Sequence, residues 1–215
     1  MNPIAICAGP FLVKIPPVRK TLLTLAVSLL LAHSSPSTAQ AGVLTDFSSA
    51  DSKLVRWQIV DDRVMGGRSR GRYVFSPEGT LVFTGNLSLE NNGGFSSVRS
   101  GSVDLDLSDS AGFSLRVRGD GRTYQLRLNT TARFRSWDVS FQADFATVKD
   151  QWIDVFIPFD RFTAGFRGWS LPDVAFDPSA IKRIGLLLGD KKPGAFRLEV
   201  DSISTYLTEA ALSSD

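Results

Sequence analysis

The chain is predicted to fold as an all-β sandwich. Apolar residues recur with a two-residue period, turn residues interrupt the chain at short intervals, and no long segment carries the 3.6-residue period of an amphipathic helix. The first clear strands are expected at 81–89 and 95–100, entered by the turn residues Pro77-Glu78-Gly79 and divided by Asn91 to Gly94. In Phe113-Ser114-Leu115-Arg116-Val117-Arg118, apolar and polar side chains alternate, and the same holds in Arg122-Thr123-Tyr124-Gln125-Leu126-Arg127-Leu128. The Gly119-Asp120-Gly121 joint between them has the chemistry of a tight turn, so a hairpin with one apolar and one arginine-rich face is expected. Further strands are expected at 136–145, 152–158, 184–188 and 196–206, the last entered through Lys192-Pro193-Gly194. A single helical turn is expected at 179–183, and 208–215 reads as a tail.

Residues 1–41 have the order of parts found in an export signal: basic Lys14, Arg19 and Lys20, an apolar run from Leu22 to Ala32, and the small-residue site Ala39-Gln40-Ala41 before Gly42. The apolar run is shorter than the roughly 20 residues a spanning helix needs, so a removed signal peptide is expected, with a retained anchor as the alternative. Membrane contact is expected only if this segment is retained. The sole histidine, His33, and the sole cysteine, Cys7, both fall within it. A domain over 42–207 would therefore lack the two side chains that carry most nucleophilic, proton-relay and transition-metal chemistry. The leader holds three of the chain's 24 Lys and Arg and none of its 22 Asp and Glu, which leaves 21 against 22. That near-neutral balance gives no electrostatic case for a nucleic-acid partner.

Several clusters form a recognisable series from about Val43 to Tyr206. Trp57 is followed by Asp61-Asp62-Arg63-Val64-Met65-Gly66-Gly67-Arg68-Ser69, by Phe83-Thr84-Gly85-Asn86-Leu87-Ser88, and by Asn91-Asn92-Gly93-Gly94-Phe95-Ser96-Ser97-Val98-Arg99. Later come Arg118-Gly119-Asp120-Gly121-Arg122-Thr123-Tyr124, Ile157-Pro158-Phe159, Phe166-Arg167-Gly168, Ile184-Gly185-Leu186 and Gly194-Ala195-Phe196-Arg197-Leu198-Glu199-Val200. In this order the segments resemble the family of complex I intermediate-associated proteins. The resemblance implies a galactose-binding-like jelly-roll sandwich, a role in assembling a protein complex, and no catalytic centre. The leader lacks the Arg- and Ser-rich amphipathic character of a mitochondrial one, so an exported protein, periplasmic or secreted, is expected.

Two loops stand out chemically. The Asp61 to Ser69 segment is compatible with a cation site on Asp61 and Asp62, with an anion site on Arg63, Arg68 and backbone N–H groups, or with a structural turn in which Met65 fills a core gap. Glycoside hydrolysis by the adjacent carboxylates is disfavoured, because neighbours on an extended chain point to opposite sides and do not straddle one bond. The Asn91 to Phe95 loop is compatible with sugar or peptide recognition through Asn91 and Asn92, or with a connection in which Asn and Gly take left-handed geometry. Arg122 belongs to an arginine set with Arg116, Arg118, Arg127, Arg133 and Arg135 that is expected to share one outward face. Trp169, beside Phe162 and Phe166, is the best candidate for an exposed stacking ring. By analogy of fold, a structural calcium ion is allowed on Asp46 and Asp201, where the chain ends are expected to meet.

The resulting expectation is a non-catalytic binding domain that recognises a protein complex or assembly intermediate. The alternative is a carbohydrate-binding module for envelope or extracellular glycans. An enzyme using only carboxylates, Ser, Lys, Arg or Tyr is the third option.

Overall fold

A computed structural model describes residues 40–48 and 54–207. The expected signal segment or anchor, apart from its last two residues, lies outside the described residues, as does the expected tail. Two antiparallel sheets pack face to face. The first contains β1 (Gln40–Thr45), β3 (Arg70–Phe75), β4 (Leu81–Leu87), β6 (Gly112–Arg118), β9 (Trp152–Pro158) and β13 (Gly194–Tyr206). Its order is β3-β4-β13-β6-β9, and β1 also pairs with β13, beyond the stretch that β4 occupies. The second contains β2 (Gln58–Asp61), β5 (Ser96–Arg99), β7 (Thr123–Phe134), β8 (Trp137–Ala146), β10 (Thr163–Phe166), β11 (Trp169–Ser170) and β12 (Arg183–Leu188), in the order β11-β10-β8-β7-β12-β5-β2. β1 begins at Gln40, so the expected cleavage point after Ala41 falls inside a paired strand.

The two-residue period fills the space between the sheets. Phe113, Leu115 and Val117 of β6, Phe83 of β4 and Leu198 and Val200 of β13 are buried from one side. Tyr124, Leu126 and Leu128 of β7, Phe141 of β8 and Ile184, Leu186 and Leu188 of β12 are buried from the other. The intervening residues of β7 and β8, among them Gln125, Arg127, Asn129, Ser140 and Gln142, lie on the outer face and are only partly buried. Expected strands therefore appear where they were placed, while β2, β3, β10 and β11 were not anticipated. The expected helical turn is a short 3-10 turn at Pro178–Ala180, and Arg183 belongs to a strand.

The expected β6–β7 hairpin is corrected. β6 pairs with β13 and β9, whereas β7 pairs with β8 and β12, so Gly119-Asp120-Gly121 carries the chain from one sheet to the other. The hydrogen-bonding groups of this turn are taken by a neighbouring segment. The Asp150 N–H donates to the Gly119 carbonyl at 2.9 Å, the Gly121 N–H to Thr147 Oγ1 at 3.1 Å, and the Thr147 hydroxyl to the Arg122 carbonyl at 2.8 Å. A Cβ on Gly119 would lie 2.3 Å from Thr147 Oγ1, and Gly121 has φ of +86°, so both positions require glycine. The arginine-rich face is divided with the strands. Arg116 and Arg118 lie on the first sheet and bond Asp154 and Glu199, while Arg127 lies on the second and Arg133 pairs with Asp138.

Since Leu126 is wholly buried at the centre of the second sheet's inner face, Leu126→Ala is expected to lower the unfolding free energy by about 3 kcal/mol. Urea denaturation reads this directly, and a loss below about 1 kcal/mol would contradict the packing described.

Candidate functional site

The Asp61 to Ser69 segment leaves β2 through a 3-10 turn, Asp62–Met65, that ends on Gly66 in left-handed geometry. Asp62 is wholly buried. Its Oδ1 accepts from the Ser69 N–H at 2.9 Å, and its Oδ2 accepts from the Ser69 hydroxyl at 2.5 Å, the Gly94 N–H at 2.6 Å and the Phe95 N–H at 3.3 Å. Burial by itself would raise this carboxyl's pKa, but the Ser69 hydroxyl and the Gly94, Ser69 and Phe95 amides outweigh it and hold the group below the usual aspartate range. Gly67 and Gly93 close over the carboxylate, and a Cβ at either would lie 2.4 or 2.5 Å from Asp62 atoms. Asp61 is occupied in the same way, accepting from the Gly71 N–H at 3.0 Å and the Ser96 hydroxyl at 2.6 Å. The two acids point to different neighbours and form no common cation site.

The remaining expected residues divide by exposure. Asn91 and Asn92 take left-handed φ values of 55° and 57°, and Asn91 Nδ2 donates to the Gly66 carbonyl at 3.1 Å, so this loop braces the 3-10 turn. Arg68 pairs with Glu90 at 3.0 Å in the open, and Arg63 is exposed without an ion pair among the described residues. Met65 does not fill a core gap. It is 65% exposed, and Val64 beside it is 73% exposed, because the turn directs its apolar tip outward while Asp62 points in. Arg122 is an internal tie. Its guanidinium grips both oxygens of Asp190 at 2.6 and 3.0 Å and donates to the Ala195 and Lys192 carbonyls. Asp46 Oδ1 caps the Ser48 N–H at 3.1 Å, and no group of three or more acids, His or Cys that could hold a metal forms among the described residues around Asp46, Asp201 or elsewhere.

A second region assembles from residues far apart in sequence. On the outer face of the second sheet, Arg99, Gly185 and Arg127 stand opposite one another on β5, β12 and β7, and Arg183 faces Asn129 in the neighbouring row. With Ser140, Gln142, Thr163, Phe166 and Trp169 they line a groove of about 390 Å³. A Cβ at Gly185 would fit tightly, 3.0 Å from both Arg99 Cγ and the Val98 carbonyl oxygen. Trp169 stands at the rim, 75% exposed. Beside it, Arg167 lies 4.7 Å from the Trp137 ring centroid and 5.3 Å from that of Phe166.

Residues 45–200 match the family model described as complex I intermediate-associated protein 30 (CIA30). The chain belongs to this family. It is 30% identical over 174 residues to the probable mitochondrial complex I intermediate-associated protein 30 of Caenorhabditis elegans, covering 72% of the chain and 51% of the relative. It is 28% identical over 191 residues to the mouse mitochondrial protein of the same name, covering 80% and 58%. The chain thus spans about half the length of the curated relatives it matches. Relatives named as mitochondrial overturn the expectation of an exported, periplasmic or secreted protein, since the order of basic and apolar residues in a leader does not by itself distinguish export from other targeting. Among solved structures, the CIA30 domain is similar to the family 11 carbohydrate-binding module of a Clostridium thermocellum cellulosomal cellulase, with a TM-score of 0.57, 15% identity and coverage of 80% of this chain and 97% of that one. The same module in complex with a mixed-linked tetrasaccharide gives a TM-score of 0.57 at 17% identity, covering 76% and 94%. At these identities the likeness establishes the sandwich fold.

Asp62 yields a pH-dependent prediction. Its folded pKa lies below the unfolded value, so its contribution to stability is present above about pH 4 and is lost as pH falls through the folded value. Asp62→Asn is expected to cost about 2–4 kcal/mol at pH 7, with the gap from the parent narrowing below about pH 4. Urea unfolding at pH 7 and pH 3 measures both quantities, and a gap of constant size would show that the charge contributes nothing.

Proposed function

We propose that this CIA30 domain is a non-catalytic binding unit that acts as a protein-assembly or chaperone-like factor, with an intermediate of a respiratory complex as its partner. The family relationship supports a protein complex as the class of partner. The observation that carries the reading is the turn at Asp62–Met65, where one buried carboxylate with four donors fixes a short loop whose apolar tip, Val64 and Met65, stands in solvent. Exposed apolar side chains on a rigid support lose little conformational entropy on docking, which is what a recognition loop requires. Arg63 and the Arg68–Glu90 pair supply a charged rim around that tip.

Carbohydrate binding is a second reading, supported by the groove on the second sheet with Trp169 at its rim, an arrangement in which a ring can stack while amides and hydroxyls meet sugar oxygens.

The assembly reading is tested by crosslinking and capture from membranes of the native source with the full chain and with a Val64→Asp, Met65→Asp double variant. Capture of one complex intermediate by the parent, reduced at least tenfold in the variant while the melting temperature holds, is the expected outcome. Equal capture by both proteins would remove the turn from the interface.

A further inference from the structure

The groove has an electrostatic character that a neutral sugar does not call for. Arg99, Arg127 and Arg183 line it together, and none of the three forms an ion pair with a carboxylate among the described residues. Arg99 Nε donates to Ser97 Oγ at 3.1 Å, and Arg127 donates to Gln125 Oε1 at 3.0 and 3.1 Å and to Ser140 Oγ at 3.4 Å, so these two are held by neutral acceptors. Arg183 Nε is enclosed and has no hydrogen-bond partner among the described residues. Several arginines elsewhere in the domain do meet acids: Arg116 with Asp154, Arg118 and Arg197 with Glu199, Arg122 with Asp190. The one acid that lines the groove, Asp138, is engaged by Arg133.

The cost of this arrangement is visible on Arg99 and Arg127. Burial and the neighbouring Arg183 charge lower the pKa of Arg99, and burial and Arg99 push Arg127 down to about 10 against the opposing pull of the Asp144 carboxylate. Like charges gathered on a half-buried sheet face, with one donor unpaired, oppose folding unless an anion is taken up. Guanidinium groups suit phosphate and carboxylate because their planar forks offer paired donors.

The other lining groups narrow the ligand class. Asn129, Ser140, Gln142 and Thr163 offer amides and hydroxyls, and the aromatic surface is confined to Phe166 and Trp169 at one end. A peptide strand would seek a free sheet edge for its backbone, whereas this is a sheet face whose ladders are already paired on both sides of β7 and β12. We propose that the groove binds a sugar bearing an oxyanion, either a phosphate or a uronate carboxylate, with the anion on Arg99, Arg127 and Arg183 and the sugar ring against Trp169. The inference rests on the carbohydrate reading for the ring alone, since the anion is called for by the arginines.

Isothermal titration of the full chain with glucose 6-phosphate, an oligogalacturonate, a neutral cello-oligosaccharide and inorganic phosphate tests it. At least one anionic sugar is expected to bind, tenfold or more tighter than the neutral sugar and than phosphate alone, and whichever binds identifies the anion. Arg183→Gln and Arg127→Gln are each expected to weaken that binding at least tenfold, Arg127→Lys to restore part of it, and Trp169→Ala to bring sugar phosphate or uronate toward the affinity of the bare anion. Melting curves establish that the variants fold, and the pair of glutamine variants keeps the test open if one does not. Equal binding of the neutral sugar would overturn the anion requirement while leaving the carbohydrate reading intact. Phosphate binding as tightly as the sugars would overturn the sugar. No binding by any probe, or binding only of a polyglutamate control, would overturn the proposal.

Discussion

A buried carboxylate must have its oxygens satisfied, and that requirement organises the ends of this sandwich. Asp62 gathers Ser69, Gly94 and Phe95 around itself. Glu199 on β13 accepts from Thr80 at 2.9 Å, Arg118 at 2.8 Å and Arg197 at 2.9 Å, joining β13 and its neighbour β6 to the turn before β4. Asp190 grips Arg122 and so ties the crossover after β6 to the connection between β12 and β13. Each acid's pKa is held low although burial opposes it. The apolar core alone fixes which face of each strand points inward. These polar ties fix where the loops go, because moving any one loop would strand a charge without its donors.

The same requirement explains why Asp61, Asp62 and Arg122 are each engaged by neighbours within the fold. Asp61, Asp62 and Arg122 attract notice because charged residues in glycine-rich loops resemble ligand sites. A ligand site and a structural clamp draw on the same chemistry, carboxylate with backbone N–H or guanidinium with carboxylate, and burial decides between them. Gly67 and Gly93 carry the distinguishing signal, since they leave space for Asp62 itself and not for a ligand.

Strand positions were legible because side-chain alternation reports directly on a half-buried sheet. β6, β7, β8, β9, β12 and β13 all lie where the two-residue period placed them. β3 was not visible, since Arg70, Arg72 and the exposed Val74 and Phe75 break the pattern at a sheet edge. The Gly119 to Gly121 turn departs from the expected hairpin because Asp-Gly chemistry suits both a tight reversal within one sheet and a passage between two. Thr147 and Asp150, about thirty residues on, select the second by taking the turn's hydrogen bonds. The arginine groove was not legible, because Arg99, Arg127 and Arg183 lie on three strands and only the β5–β12–β7 register sets them side by side.

The two surfaces differ in how they are supported, and this separates their roles. Val64 and Met65 stand on a turn anchored by the internal hydrogen bonds of Asp62, so what its tip offers a partner is chiefly shape and apolar area, with the exposed Arg63 beside it. The groove is the converse. It lies on the flat outer face of paired strands, with its apolar surface at one end and three guanidiniums on its floor, and what it offers is charge and hydrogen bonds. A protein interface built on the turn would leave the groove's cations unneutralised unless the partner also brought acids to the sheet face. A small anion would neutralise them without involving the turn. On the proposed readings, occupancy of the groove and engagement of the turn would be separable events on one sandwich, and stability gained from an anion would add to the folded state without requiring a partner.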